Sequence, residues 1–488
     1  MSSNWPRVAI RTLIEEGIIK VHKDGNHGSK YPRAAEFGNT GVPFLTAKSV
    51  DETGDIDFEN APRLAIEKAN TFTFGFIEAD DVLLSHNATV GRVAIVPQIE
   101  ERVLIGTSLT HFRLDTDRLL PRYLAAYFSG RDFQNQLASV MSQSTRNQVP
   151  ITSQRKLTII LPPIENQKVI ADALGYLDSK RRLNHQINRT LEKIGQTTFK
   201  SWFVDFEPVK AKIATLEAGG SEEDALLAAM QAISGKGKAQ LIQLQAERPG
   251  RYAELRATAE LFPSVMQDSE LGEIPEGWEA NQLGEYLDTL ETGARPKGGV
   301  SGISEGVPSI GAENILGVGN YNYGKEKFIT VEFFNKLKRG IVEHLDCLLY
   351  KDGGKPGDFK PRVSMFGCGF PYDKLAINEH VYRLRSQRLG QPFLYFQIGH
   401  DRVLADLRHK GAKAAIPGIN QTDVKTIWVA CPPKDVLLTF NTIATKIVVS
   451  ILNRSKENLH LSDLRNTLLP QLLSGALTVD ARNNEDAT

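Results

Sequence analysis

This sequence predicts a mixed α/β (α+β) fold with two related globular arms and two long helices. Three observations predict it: the chain contains a long internal repeat, the first copy contains short strand-like segments, and each copy ends in a long segment without proline. At roughly 150 residues per domain, 488 residues suffice for about three domains, or for two domains and a long connector.

The internal repeat extends over most of the chain. GVPFLTAKSV at 41–50 aligns with GVPSIGAENI at 306–315, an offset of 265 residues (306 minus 41). Three further pairs keep the same order: DVLL at 81–84 with DCLL at 346–349, HFRL at 111–114 with VYRL at 381–384, and LPP at 161–163 with CPP at 431–433. The offset grows to 270 (381 minus 111) after the DVLL pair, so the extra residues of copy two are expected in a surface loop. A collinear repeat of this length predicts two arms built on one plan.

Short apolar runs in the first arm are predicted to be strands. Residues 82–84, 93–96 and 157–160 are rich in Val, Leu and Ile and lie between Gly, Asn and Asp residues. Asp81 and Asp346, which occupy the same place in the two copies, are predicted to cap turns at strand starts. The aromatic residues expected in the core are Tyr123, Tyr127, Phe393 and Tyr395.

Each copy then continues into a predicted long helix. Residues 164–207 and 434–469 contain no proline, and Pro163 and Pro433 suit a helix start because a missing N–H costs nothing there. A helix of about 40 residues is roughly 60 Å long. Apolar positions recur at spacings of three and four residues, as in a coiled-coil seam. The seam positions are Ile170, Leu174, Leu177, Ile187, Leu191 and Ile194 in the first segment, and Val436, Phe440, Ile443, Ile447, Ile451, Leu461, Leu464 and Leu468 in the second. We expect the two stripes to pair with each other; packing of each helix on its own arm is the alternative.

Composition and local charge set bounds on function. The 58 basic and 58 acidic residues cancel, but residues 293–425 carry 20 Lys+Arg against 13 Asp+Glu, whereas residues 206–280 carry 7 against 13. The first region is a possible polyanion binder and the second an acidic connector. The three cysteines form no C-x-x-C pair, and neither a signal peptide nor an apolar run near the ~18 residues of a membrane span is evident. The expected location is a reducing cytoplasm, with no membrane.

A search for catalytic motifs finds none that fits. An amino-methyltransferase would need Asn/Asp-Pro-Pro-aromatic, but the nearest strings are LPPI at 161–164 and CPPK at 431–434, whose first residues lack the side-chain carbonyl. The glycine-rich strings at 235–238 and 353–357 do not match a P-loop, and neither H-E-x-x-H nor G-x-S-x-G occurs. The chain is therefore predicted to have no catalytic residues and no metal site.

Several segments resemble one family, the specificity subunits of type I restriction-modification systems. LPPIENQ at 161–167, running on to FKSWFVDF at 199–206, resembles the family's central conserved region. LFP at 261–263 with DSELGEIPEGW at 268–278 resembles its entry into the second arm, and LRNTLLPQLLSG at 464–475 resembles its distal conserved region. Two departures occur: Glu165-Asn-Gln167 is one residue longer than the usual Glu-Gln, and Lys434-Asp-Val436 replaces it in copy two, where a partner contact is expected to be less faithful.

The resemblance implies two target recognition domains separated by two long antiparallel coiled-coil helices. The implied boundaries are 1–161 for target recognition domain 1, 162–205 for the central long helix, 206–277 for an acidic linker or helical insertion, 278–431 for target recognition domain 2, 432–478 for the distal long helix and 479–488 for a flexible tail. Residues 1–161 are called the first arm and residues 278–431 the second arm.

The resemblance also implies the ligand and the partners. Double-stranded DNA is expected as two short half-sites with a fixed gap, read in major grooves about one helical turn, or 34–36 Å, apart. Because the copies differ outside their core, the site is expected to be asymmetric. Two methyltransferase subunits are expected on the conserved helices, and ATP-dependent restriction subunits are expected to join later. S-adenosylmethionine, ATP and Mg are expected on those partners, with no cofactor in this chain.

Polar loop residues are the candidate DNA contacts, since loops carry binding function and Asn, Gln, Arg and Lys match base edges or phosphates. In the first arm they are His27, Lys30, Arg33, Ser85, His86, Asn87, Thr89, Arg92, Gln143, Ser144, Thr145, Arg146, Asn147 and Gln148. In the second arm they are Lys351, Lys355, Lys360, Arg362, Lys410 and Lys413. The candidate partner contacts on the long helices are Glu165, Gln167, Leu177, Ile187, Leu191, Ile443, Ile447, Leu461 and Leu464.

Three functional hypotheses are compatible with these features. The leading one is a non-catalytic subunit that reads DNA and directs adenine methylation or ATP-dependent cleavage by its partners. The second is a divergent DNA methyltransferase or nuclease, which would bind cofactor by itself. The third is a protein scaffold that joins two partners through its coiled coil without reading DNA. Solvent-exposed turns without a ligand are the alternative for each candidate loop.

Overall fold

The computed structural model describes residues 5–28, 31–142, 147–353, 359–367, 369–412, 417–474 and 476–477. The chain divides into two compact units. Unit 1 comprises Met1–His185 with Asn458–Thr488, and unit 2 comprises Gln186–Glu457. Each long helix contributes one part of its length to each unit.

The first arm contains eleven short strands and five short helices among its described residues. The strands are β1 (Arg7–Ala9), β2 (Ile19–Asp24), β3 (Phe37–Gly38), β4 (Val42–Leu45), β5 (Arg63–Leu64), β6 (Phe76–Ile77), β7 (Val82–Ser85), β8 (Val93–Ile95), β9 (Val103–Ile105), β10 (Leu109–Leu114) and β11 (Thr158–Ile160). The helices are α1 (Ile10–Glu15), α2 (Ile66–Ala69), α3 (Pro121–Phe128), α4 (Arg131–Ser142) and α5 (Ile151–Gln154). The three strands predicted from the sequence are confirmed as β7, β8 and β11.

The central long helix and the insertion follow. Helix α6 (Ile164–Phe203) has 40 residues and begins directly after Pro163, as predicted. The insertion contains α7 (Glu207–Glu217), α8 (Glu222–Ser234), α9 (Lys238–Glu247), α10 (Pro249–Glu260), β12 (Met266–Gln267) and β13 (Ile274–Pro275). Its helices have a small core of their own, formed by Leu226, Ala229, Met230, Leu241 and Ala259.

The second arm repeats the plan of the first. Its strands are β14 (Glu279–Gln282), β15 (Thr289–Thr292), β16 (Val307–Ile310), β17 (Phe328–Ile329), β18 (Cys347–Tyr350), β19 (Val363–Met365), β20 (Ala376–Ile377), β21 (Val381–Arg385) and β22 (Trp428–Cys431). Its helices are α11 (Val331–Lys336), α12 (Gln391–Gly399), α13 (Asp401–Ala412) and α14 (Gln421–Lys425). The distal long helix α15 (Lys434–Ser474) has 41 residues.

Sheet topology shows that the sequence repeat is a structural repeat. The first arm has an antiparallel sheet of order β2-β10-β7-β8, and the second arm has the same sheet as β15-β21-β18-β19. A second sheet repeats as β5-β4-β9 and β17-β16-β20, with β4–β9 and β16–β20 parallel in both copies. A two-stranded pair, β1–β11 and β14–β22, completes each arm.

Asp81 and Asp346 hold the same turn in the two arms. Asp81 Oδ2 accepts the Glu78 backbone N–H at 2.9 Å, and Asp346 Oδ2 accepts that of Glu343 at 2.6 Å. The predicted turn caps are therefore confirmed. Both carboxylates are buried and also pair with arginines of the neighbouring strand, Asp81 with Arg113 at 2.8 Å.

A glycine in each arm directly precedes an equivalent strand of the second sheet, β4 in the first arm and β16 in the second. Gly41 has φ +125° and Gly306 has φ +142°, a region that residues with side chains rarely adopt. A Cβ atom would lie 2.1 Å from the Leu64 carbonyl oxygen in the first case and 2.2 Å from that of Ile329 in the second. Neighbouring strands therefore approach closely only because both positions lack a side chain.

Replacing Gly306 by alanine is expected to lower the free energy of unfolding by about 2 kcal/mol, because the strained φ and the backbone contact both oppose a Cβ. The measurement is the urea midpoint, followed by tryptophan fluorescence. Gly250→Ala is the matched control: nothing lies within 4 Å of its Cβ, and alanine in α10 should stabilise by up to about 1 kcal/mol. Equal midpoints for the two variants would contradict the account.

The two long helices pair antiparallel within each unit. In unit 1, Asn184 Nδ2 donates to Asn458 Oδ1 at 2.9 Å, while Asp178, further back on α6, lies 3.4 Å from Arg465, further on along α15. In unit 2, Asn188 Nδ2 donates to Ser455 Oγ at 3.2 Å. The predicted pairing of the helices is thus confirmed.

The predicted seam is partly wrong, because the helices also pack on the arms. Ile194, Ile443 and Leu464 are exposed, whereas unpredicted residues on other faces of α15 are buried, among them Leu437, Ala444, Val448 and Leu452. Leu469, Leu472 and Leu473 join the core of the first arm, and Phe199, Trp202 and Phe203 join the core of unit 2. Each long helix buries residues against an arm as well as against the other helix, so its buried residues do not form one narrow stripe.

Helix α15 is the one described helix that is long and apolar enough to cross a membrane by length and composition. Its apolar residues Phe440, Val448 and Ile451 are buried in the core of unit 2. The core helix of a soluble protein passes the same test, so the finding is weak evidence for a membrane.

Candidate nucleic-acid interface

One edge of the four-stranded sheet gathers the candidate loops of the first arm. Strand β2 ends at Asp24 opposite Thr110, and β7 ends at Ser85 opposite Leu109. Because neighbouring strands are antiparallel, the chain leaves β2 and β7, and enters β10, at the same edge. The loop that contains His27 and the loop 86–92 therefore leave the sheet side by side, although they are far apart in the sequence.

A third segment of the first arm joins this edge. The Val149 N–H donates to the His86 carbonyl at 2.8 Å, and the Ala88 N–H donates to the Asn147 carbonyl at 3.1 Å. Asn147 Nδ2 also donates to the Ala88 carbonyl at 3.0 Å. The structure thus brings together the two predicted recognition loops, although Lys30 and Gln143, Ser144, Thr145 and Arg146 lie outside the described residues.

The second arm forms the same junction with different residues. The Ile419 N–H donates to the Lys351 carbonyl at 2.7 Å, and the Gly353 N–H donates to the Pro417 carbonyl at 2.9 Å. These bonds are the counterparts of those of Val149 and Ala88 at offsets of 270 and 265. Lys355 and Lys413 lie outside the described residues. The backbone of the edge is therefore common to both arms, and its side chains are not.

Two of the candidate DNA contacts in the first arm are buried. Ser85 is fully buried, and its hydroxyl accepts the Arg92 backbone N–H at 2.8 Å. His86 is 5% exposed, and burial lowers the pKa of its imidazole. Arg92 donates to the Val50 carbonyl at 2.7 Å. In this conformation Ser85 and His86 support the turn, and their predicted contacts with DNA stay predictions.

The remaining first-arm candidates are more accessible. Arg33 and Asn147 are exposed, while Asn87, Thr89 and Gln148 are half-buried. His27 is exposed and lies 2.7 Å from Asp24. Asparagine, threonine and glutamine side chains can donate to and accept from base edges, so this edge is suited to hydrogen-bond readout.

The edge rests on a buried neutral network. His22 Nε2 lies 3.2 Å from Gln154 Oε1, and Gln154 Nε2 donates to Thr110 Oγ1 at 3.0 Å. Burial lowers the pKa of His22 to about 4, so its ring is neutral at pH 7. Because the network fixes the side chains of His22, Gln154 and Thr110, it gives rigid support to the neighbouring loops.

The second-arm candidates are mostly held in contacts within the arm. Lys351 forms an ion pair with Asp352, which also lies 2.5 Å from His380. Arg362 lies over the Tyr350 ring at 5.2 Å and donates to the Ala312 carbonyl at 2.7 Å. Lys410 lies 2.8 Å from Asp406. Lys360 is exposed. This edge is more charged than that of the first arm.

Sequence reasoning missed the second-arm counterpart of the His27 loop. Strand β15 ends at Thr292 opposite Tyr382, so the following loop, with Arg295 and Lys297, leaves the same edge as Lys351. Both side chains are exposed, and Arg295 lies 3.1 Å from Glu379. The repeat offset of 270 applied to residues 25–30 gives 295–300, which contains both cations, and the strand registers have the same offset, because His22 pairs with Phe112 and Thr292 with Tyr382.

The candidate partner residues on the long helices divide by burial. Glu165, Ile443 and Leu464 are exposed, and Leu177, Ile187, Leu191 and Leu461 are half-buried. Gln167 is fully buried: its Oε1 accepts the Leu120 N–H at 2.9 Å, and its Nε2 donates to two carbonyls. Ile447 is also buried. Gln167 packs within unit 1 and Ile447 within unit 2, and their predicted contacts with a partner stay predictions.

The departure at the start of the second long helix has a structural explanation. In the second arm, Asn441 Nδ2 donates to the Leu389 carbonyl at 2.8 Å, and its Oδ1 accepts the Phe393 N–H at 3.1 Å. Asn441 thus fixes the segment before α12 as Gln167 fixes the segment before α3. In α15 the anchoring amide lies one helical turn further from the helix start than in α6. The segment Lys434-Asp-Val436 therefore does not have to supply it.

Comparisons with known proteins find relatives that extend over most of the chain. The family profile described as "Type I restriction modification DNA specificity domain" matches residues 17–193. The chain is 30% identical to the type I restriction enzyme HindI specificity subunit of Haemophilus influenzae over 422 residues, which cover 82% of this chain and 87% of that protein. It is 21% identical to the MjaIX specificity subunit of Methanocaldococcus jannaschii, over 91% of this chain and 89% of that protein. Among solved structures, the type I S subunit from M. genitalium is 14% identical, with a TM-score of 0.44 and 96% coverage of both chains.

Proposed function

This chain belongs to the specificity subunits of type I restriction enzymes, and we propose from that premise that its two arms read the two halves of one split, asymmetric DNA site. As a specificity subunit it selects the DNA sequence and catalyses no reaction itself. Adenine methylation or ATP-dependent cleavage is carried out by partner subunits.

One observation carries the assignment of the two half-sites: the same backbone junction occurs in each arm with different side chains. The first arm presents Asn87 and Gln148, which suit adenine edges, whereas the second presents Arg295 and Lys297, which suit guanine or phosphate. A common scaffold with unlike edges supports two unlike half-sites. A symmetric site would require like edges.

The partners follow from the same family membership. We assign two methyltransferase subunits to the long helices, with Glu165, Ile443 and Leu464 as exposed contact residues. Restriction subunits join that assembly. S-adenosylmethionine, ATP and Mg belong to those partners in this proposal, and the complex works in the cytoplasm on double-stranded DNA.

Genome-wide adenine methylation mapping tests the proposal. The chain is co-expressed with its methyltransferase partner, and each protein is also expressed alone. A split, asymmetric motif should appear only when both are present. Asn87→Ala should then relax one half of the motif, because each mismatched contact costs about 1–3 kcal/mol. Asn39→Ala, an exposed asparagine in the turn between β3 and β4, should leave the motif unchanged.

Two results would contradict the proposal. Methylation by this chain alone would make it a divergent methyltransferase. An unchanged motif after exchange of residues 20–160 for another arm would make it a scaffold that joins its partners without reading DNA.

A further inference from the structure

A short loop of the second arm carries three exposed cations. Helix α11 ends at Lys336, and Lys338 and Arg339 follow within three residues. All three side chains are exposed, and none forms a hydrogen bond or ion pair with a residue that the structure describes. Glu332, on the same helix, is the one acidic residue in 330–340. The loop therefore carries a local surplus of positive charge that no contact among the described residues of the arm neutralises.

Gly340 fixes this loop against the sheet. Its φ is +75°, and a Cβ atom there would lie 2.6 Å from the Cα atom of Gly293. The Gly340 N–H donates to Glu291 Oε1 at 2.8 Å, and its carbonyl accepts the Ile377 N–H at 2.8 Å. The cations thus stand on a loop that is tied to the ends of β15 and β20.

The loop is continuous with the candidate DNA-reading edge. Gly293, which Gly340 contacts, donates its N–H to the Asn378 carbonyl at 3.1 Å. Two residues later, the His380 carbonyl accepts the Lys351 N–H at 3.0 Å. Arg295 and Lys297 follow Gly293 closely, in the loop after β15. A series of backbone contacts therefore links the loop of Arg339 to Lys351.

The first arm has the same loop without its charges. Gly75 has φ +87°, and its carbonyl accepts the Ile105 N–H at 2.9 Å, as that of Gly340 accepts the Ile377 N–H. At the offset of 265, the residues that correspond to Lys336, Lys338 and Arg339 are Thr71, Thr73 and Phe74. The backbone of the loop belongs to the common plan, whereas the cations belong to the second arm.

We propose that Lys336, Lys338 and Arg339 bind the DNA backbone beside the half-site that the second arm reads. The inference rests on the proposed function, because it assigns a further contact to the same DNA. Lysine and arginine side chains on a fixed loop position a protein on phosphates without reading sequence. The second arm thereby anchors the DNA electrostatically, and the first arm relies more on its amide and hydroxyl groups.

The test is the salt dependence of DNA binding by the complex of this chain with its methyltransferase partner. Each phosphate contact contributes about 0.9 to the slope of log K against log salt concentration. K336Q/K338Q/R339Q should therefore make the slope shallower by roughly two to three, over about 50–200 mM salt, while the ratio of specific to nonspecific binding stays constant. An unchanged slope would overturn the proposal.

The matched control is K236Q/K238Q/R251Q, which removes three exposed cations from the helical insertion of the same chain. Its slope should equal that of the unsubstituted complex. If both variants made the slope equally shallow, the effect would depend only on net charge, and the proposal would be overturned. Loss of methyltransferase association, with the slope unchanged, would assign the loop to a protein partner instead. If the unsubstituted complex showed no specific binding, the proposed function itself would be wrong, and the inference would fall with it.

Adding positive charge to the first arm gives a second test, and its result does not depend on whether a variant loses its fold. Thr71 and Thr73 are exposed, so T71K/T73K adds two cations to the equivalent loop without burying them. The slope should steepen by up to about two. An unchanged slope would mean that this loop does not approach the DNA, and the argument from the common plan would fail.

Discussion

Replacing Arg383 by methionine should lower the free energy of unfolding of unit 2 by about 3–4 kcal/mol. The Arg383 side chain is 9% exposed, and its guanidinium contacts Asp346 Oδ2 at 2.5 Å, Glu291 Oε1 at 2.7 Å and Glu343 Oε1 at 3.0 Å. Asp346 is fully buried, and Arg385 would remain as its cationic partner. Methionine keeps much of the volume but removes one of the two arginine partners of the buried Asp346 carboxylate and the arginine partner of the half-buried Glu291.

The urea midpoint, followed by tryptophan fluorescence, measures this loss, because Trp202, Trp278 and Trp428 all belong to unit 2. Arg388→Met is the matched control in the same arm. Arg388 pairs with Glu279 at 2.7 Å, but both side chains are more than half exposed, so its loss should cost less than about 1 kcal/mol. Similar midpoints for the two variants would show that the buried cluster does not stabilise the arm.

Replacing Arg465 by methionine should destabilise unit 1 by about 3 kcal/mol. The Arg465 side chain is 7% exposed and donates to the carbonyls of Ala126 at 3.0 Å and Ser129 at 3.2 Å. These carbonyls lie at the carboxyl end of α3, where helix carbonyls lack partners within the helix. Burial lowers the pKa of Arg465, and Asp178 opposes that effect. The substitution would leave the two carbonyls at the helix end without their donor, and Asp178 would keep Arg181 as a cationic partner.

Amide hydrogen exchange in α3 and α4 measures this change locally, because faster exchange reports the loss of unit 1 without a contribution from unit 2. Arg454→Met is the matched control on the same long helix, since Arg454 donates only to Ser450, within its own helix, among the described residues. It should change exchange in α3 by less than about 0.5 kcal/mol. Unchanged protection of α3 in the Arg465 variant would refute the anchoring role.

Local patterns predicted the elements and the repeated plan of this protein. Branched apolar runs predicted β7, β8 and β11, and Pro163 and Pro433 predicted the starts of α6 and α15. The repeat offset of 265 paired Asp81 with Asp346 and predicted that they hold equivalent turns. These features depend on residues that are near each other along the chain, or on direct comparison of the two copies, so the sequence alone is sufficient.

Side-chain burial and the composition of the edge were decided by the tertiary structure. Ser85 is polar and ends β7, yet it is fully buried, and its hydroxyl accepts the Arg92 N–H from the far side of the turn. Arg339 and Lys351 are apart in the sequence, yet backbone contacts through Gly293, Asn378 and His380 link their loops. Periodicity reports which residues are apolar, but it does not report which distant segment covers a turn. That depends on hydrogen bonds between segments that only the folded chain brings together.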